Sequence, residues 1–153
     1  MLQATSLRST FVVAIIMSSS LPLYNLAGAP KDRTDSLLST IRSTSYIAEV
    51  TSNEVPAEES GLWDAVVLVD ELPSDVSKAS SLDEKIKALV AQSGSGKWAS
   101  ASFFVIDERT SQDGSVLAVE VDGGKKKEVD RMRVAPKSVI EVVSGARSGW
   151  RKG

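Results

Sequence analysis

The sequence predicts a single α+β domain: a mixed or mainly antiparallel sheet of roughly five to seven strands, with one clearly marked helix over residues 82–92. Three observations lead there. Short apolar or alternating runs recur along the second half of the chain, each too short for a helix of ordinary length. One stretch alone combines a helical apolar period with start and stop signals. The chain has 153 residues, of which 42% are hydrophobic and 25% charged. That is enough for one packed domain and too little for two. A small β-barrel or sandwich carrying one helix is the alternative architecture, because the last three runs (VLAVEV, EVDRMRV, SVIEVV) also suit a meander.

Residues 1–29 hold Arg8 and no acid, with an apolar run at Phe11–Met17 and small residues at Ala27-Gly28-Ala29. This segment reads either as a targeting or anchoring segment or as an N-terminal strand over Thr10–Met17. A single basic residue makes a weak leader, and Pro30 follows the candidate cut after Ala29. The run is far shorter than the roughly 20 residues a spanning helix needs. A leader would imply a secreted, organellar or membrane-associated protein; otherwise the expectation is cytoplasmic.

Residues 30–144 read as the globular domain. Asp35 is placed to cap a short helix over Ser36–Ser43, with Leu37, Leu38 and Ile41 on one side. Tyr46–Thr51 alternates as a strand would, and Asn53–Ser60 is an acidic loop around Pro56. Trp63–Val69 is nearly all apolar, as in a strand covered on both faces. Pro73 marks the connection that follows. Ser81 and Glu84 have the spacing of a capping box. Leu82, Ile86, Leu89 and Val90 then form one helical stripe, closed by Gly94. Trp98–Ile106 is a second hydrophobic strand. Strand–helix–strand over this span allows a right-handed crossover between parallel strands. Asp107–Gly114 is turn-rich. Val116–Val121, a turn at Asp122–Gly124 and Val129–Val134 make a hairpin, its outer strand studded with charge as an edge requires. Val139–Val143 is expected as a last strand. Residues 145–153 are expected to be a basic mobile tail.

Chemistry is constrained mainly by what the chain lacks. It has no Cys and no His. That excludes disulfides, thiolate nucleophiles, Cys- or His-based metal sites and Ser-His systems. Two motifs invite a nucleotide-binding reading. Val66–Val69 followed by Asp70-Glu71 has the form of a Walker B strand, and Gly94-Ser95-Gly96-Lys97 that of a phosphate loop. The loop fails on detail: Ala91 stands where the first Gly belongs, Trp98 follows Lys97 instead of Ser or Thr, and a strand follows instead of a helix. Asp70 and Glu71, with Asp75 or Asp107, are candidates for a divalent cation if their strands lie side by side. No cofactor or metal site is expected.

Charge is segregated. Residues 32–122 carry 17 acids against 7 bases, whereas residues 123–153 carry 9 bases against 3 acids. Lys125, Lys126, Lys127, Arg131, Arg133, Trp150 and Arg151 are therefore the candidate partner-binding residues. Alternation along a strand puts Arg131 and Arg133 on one face, and Trp150 is placed to anchor or stack. The expected role is a non-enzymatic structural or interaction subunit, docking a basic hairpin and tail onto an acidic protein partner, another copy included, with an anionic membrane surface also possible. A phosphate- or metal-handling hydrolase centred on Asp70 and Glu71 is the first alternative. A nucleic-acid binder using the basic C-terminal third is the second, disfavoured by the net charge of −2.

Overall fold

A computed structural model describes residues 21–43, 61–92 and 102–146. Its framework is a five-stranded mixed sheet in the order β2-β1-β3-β4-β5. The strands are β1 (Leu21–Asn25), β2 (Val66–Val69), β3 (Phe103–Ile106), β4 (Val116–Asp122) and β5 (Lys127–Val134). The helices are α1 (Lys31–Arg42), α2 (Ser74–Ser77), α3 (Leu82–Gln92), α4 (Thr110–Asp113) and α5 (Val139–Ala146).

The first three strands run parallel, with Leu21 opposite Val66 and Leu23 opposite Phe104. β3, β4 and β5 then form an antiparallel meander. The chain leaves β1 through α1 to reach β2, then crosses back over β1 through α3 to reach β3. The two crossovers move in opposite directions, so one shared handedness requires helices on opposite faces. The core divides accordingly. On one face Leu21, Leu23, Phe104, Ile106, Val116 and Ala118 pack against Leu37, Leu38 and Ile41 of α1 and Val139, Ile140 and Val143 of α5. On the other, Phe103, Val105, Leu117, Val119 and Val121 pack against Val76 of α2 and Ile86, Leu89 and Val90 of α3. Strand alternation supplies one set of side chains to each layer. The result is one α+β domain with an open sheet, not a barrel.

Most of the expected elements are present, and several are moved. β1 was not anticipated as a strand in its own right, yet Leu21 and Leu23 are fully buried and their strand lies between β2 and β3. Pro22 is tolerated there because pairing with β3 begins only at Leu23. The candidate strand at Thr10–Met17 lies outside the described residues, as do Tyr46–Thr51, the loop 53–60 and Gly94–Lys97. α1 starts at Lys31, not Ser36. Its N-cap is Pro30, whose carbonyl accepts from the Arg33 and Thr34 amides, while Asp35 sits inside the helix and pairs with Lys31 at 3.2 Å. Thr34, Leu37, Leu38 and Ile41 are its buried stripe. Arg42 ties its end to the next element, donating to the Trp63 carbonyl at 3.0 Å and lying 5.2 Å above the Trp63 ring.

The apolar run at Trp63–Val69 splits into a 3-10 turn at Gly61–Asp64 and the short strand β2. The strand expected over Trp98–Ile106 is confined, among the described residues, to Phe103–Ile106. α3 matches its predicted limits. Its cap is shared: the Glu84 amide donates to the Ser81 hydroxyl, and the Glu84 carboxylate accepts from the Ser80 amide and hydroxyl, one residue before the expected partner. The expected last strand, Val139–Val143, is wrong: it is the start of α5. Its β-branched residues favour a strand. Pro136 instead opens a 3-10 turn that feeds a helix, and Val139, Ile140 and Val143 fall on one helical face.

Candidate functional site

The basic hairpin of the sequence reading is formed by β4 and β5. Asp122 shapes its tip by accepting the Gly124 and Lys125 amides at 3.0 and 3.2 Å. Lys125, Lys126 and Lys127 are all exposed. Lys126 has φ +50, the left-handed conformation that glycine or asparagine adopts more readily. The turn therefore keeps a lysine where backbone energetics favour a smaller residue. A register shift at Glu120/Val121 precedes the tip and increases the local twist of the strand pair.

Arg131 and Arg133 do share a face, as alternation requires, but that face is turned inward. Arg133 makes a bidentate pair with Asp107, with Nη1 to Oδ1 at 2.8 Å and Nη2 to Oδ2 at 2.7 Å. Asp107 is 7% exposed and also accepts the Thr110 amide and hydroxyl at 3.3 and 3.2 Å. The Arg133 guanidinium is the main reason its carboxyl is held below the ordinary carboxylate range, with the Thr110 bonds adding to it against the effect of burial. Arg131 bonds Glu128 on its own strand and reaches Asp83 of α3 at 2.8 Å. These bonds, to Glu128 first, raise its already high pKa. Both arginines are thus structural ties, one from β5 to α3 and one from β5 to the end of β3. Trp150 and Arg151 lie outside the described residues.

One residue that the sequence reading missed belongs with the hairpin. Lys87 of α3 lines the same groove as Lys126 and Lys127, a space of about 450 Å³ between α3 and the hairpin tip, floored in part by Val90 and Ala91. Asp83 and Glu128 also border it, and Arg131 engages both. The three lysines make no ion pair among the described residues, so the groove is positive. Elsewhere on the edge strand, Val129 and Met132 are 46% and 39% exposed, the only exposed large apolar side chains among the described residues.

The acidic candidates are not brought together. Asp70 and Glu71 are exposed at the end of edge strand β2. β1 separates their strand from that of Asp107, and Asp107 is taken up by Arg133. Asp75 accepts two bonds from the Gln92 amide, at 2.8 and 2.7 Å. Among the described residues no group of three or more His, Cys, Asp or Glu is arranged to hold a metal, and no helix is long and apolar enough to cross a membrane.

A second feature becomes visible only with the strand order in hand. The order reverses direction at β1, so the loops after β1 and β3 part there, the place where open α/β sheets leave a crevice. Asn25 rigidifies the first loop by donating to the Ala29 carbonyl and accepting the Ala29 amide, both at 3.0 Å, while Gly28 takes φ +66. The Leu26 amide joins the loop to the Ile106 carbonyl at 3.1 Å. Cavities of about 510 Å³ on the α1 side and about 590 Å³ on the α3 side flank this seam. No protein-family model, curated protein or solved structure matches the chain.

Proposed function

We propose that the chain is a non-catalytic docking subunit whose groove between α3 and the β4–β5 hairpin receives an acidic segment of a partner protein. The supporting observation is the convergence of Lys87, Lys126 and Lys127 on one groove in which Arg131 already satisfies both bordering carboxylates. Three unpaired ammonium groups attract a run of carboxylates. Arg131 ties β5 to α3 along the groove, and the lysines do the binding.

The test is calorimetric titration with a glutamate-rich peptide of about a dozen residues at low and moderate salt, with single-stranded DNA of similar charge as competitor. Replacing Lys87, Lys126 and Lys127 together with Ala is expected to weaken peptide binding by about tenfold or more, at roughly 0.5–1 kcal/mol for each lost charge. Equal binding by the variant overturns the reading. Tighter binding of the DNA than of the peptide replaces it with a nucleic-acid function.

A further inference from the structure

We propose that the crevice between the β1–α1 loop and the β3–α4 turn is a separate binding site for a small zwitterion of amino-acid or dipeptide size. The α1-side cavity measures about 510 Å³, within the roughly 300–1,000 Å³ typical of small-molecule sites. Its position follows from topology, since the β1–α1 loop and the β3–α4 turn lie side by side at the carboxyl ends of two adjacent parallel strands. The Asn25 clamp on Ala29 preforms one side of it. Leu37, Ile106 and Pro136 give it an apolar lining.

Its charges are what specify the ligand. Arg33 stands on the α1 wall and Glu108 on the opposite loop, and both line the cavity. Neither makes an ion pair among the described residues. The other acid on the lining, Asp107, is engaged by Arg133 and Thr110 and is not available. Ser111 bonds the Glu108 carbonyl and leaves its carboxylate free to act. One positive and one negative group on facing walls, with an apolar surface between them, match a molecule that carries a carboxylate and an ammonium on an apolar body. A dianion would meet Glu108, and a simple cation would meet Arg33.

The experiment is an amide-shift titration of the full chain with L-phenylalanine and with its two truncated analogues, 3-phenylpropionate (no ammonium) and 2-phenylethylamine (no carboxylate). L-Phenylalanine is expected to shift the Gly28, Ala29 and Gly114 amides saturably, with a Kd near 1 mM, and each analogue to bind about fivefold more weakly. Arg33→Gln should abolish the preference for L-phenylalanine over 2-phenylethylamine. Glu108→Gln should abolish the preference over 3-phenylpropionate. Both side chains are exposed, and the analogue series on the unaltered protein reads the same selectivity without any substitution. Absence of saturable shifts up to about 20 mM, equal binding of all three compounds, or shifts confined to the α3–hairpin groove would overturn the proposal.

Discussion

Replacing Asp107 with Asn perturbs the tie that joins the end of β3 to edge strand β5 while keeping the side chain's shape. Oδ1 can still accept from Thr110 and from Arg133. At Oδ2 the change is different in kind, because an amide NH2 now meets the Arg133 Nη2 donor that the wild type holds at 2.7 Å. Two limits bracket the cost. Breaking a fully buried pair costs roughly 3–5 kcal/mol, and an exposed pair is worth about 0–1 kcal/mol. The Asp107 side chain is 7% exposed and that of Arg133 28%, so water can resolvate the arginine but not the position it has lost. A cost of about 2 kcal/mol follows. In a chain of this length that lowers Tm by about 4–8 °C. Urea unfolding of Asp107→Asn, Arg133→Gln and the double variant measures it. The double variant should be less destabilised than the sum of the singles, by about 1 kcal/mol or more, since each single leaves a partner stranded. A loss under about 0.5 kcal/mol for Asp107→Asn, or strict additivity, would refute the reasoning.

Further expectations follow from the same framework. Asp113 is held at about pH 2, below its usual 3.8, chiefly by bonds from the Ser115 hydroxyl and amide and then by Arg109, and Asp107 is lowered as well. Depressed carboxylates stabilise the fold above their unfolded-state values and lose that contribution as pH falls through the folded-state ones. Tm should therefore decline between about pH 4 and pH 2, less steeply in Asp107→Asn; a flat profile contradicts this. A chain beginning at Pro30 lacks β1, and with it fully buried Leu21 and Leu23 and the ladders to both β2 and β3. It should show no cooperative thermal transition by circular dichroism, and a normal melt would mean that the sheet does not depend on β1. Val142→Pro should cost about 3 kcal/mol by breaking α5, whereas a loss under about 1 kcal/mol argues against a helix there.

How much of this was legible in the sequence varies with how local the determining physics is. α3 was readable to the residue because its cap, its stripe of Ile86, Leu89 and Val90 and its limits all lie within a dozen positions. β4 and β5 were readable from alternation and the Asp122 turn. α5 was misread because Val139, Ile140, Val142 and Val143 carry strand propensity, and only Pro136 and the spacing of the buried three hinted otherwise. β1 was hidden by Pro22 and by its place in a leader-like segment, although Leu21 and Leu23 do alternate. The shared face of Arg131 and Arg133 was foreseen. Their partners were not, because Asp83 and Asp107 lie 48 and 26 residues away in sequence. The same separation concealed Lys87. The crevice beside Arg33 and Glu108 depends on strand order, which no local pattern encodes.

Docking of an acidic segment between α3 and the hairpin is tested most directly by an amide-shift map of the glutamate-rich peptide on the labelled protein at two salt concentrations. The predicted result is a cluster of shifts at Lys87, Val90, Lys126 and Lys127 that fades between about 50 and 300 mM salt, as screening shortens from roughly 14 to 6 Å. Shifts centred on Asp70 and Glu71, or a map at the groove indifferent to salt, would contradict it.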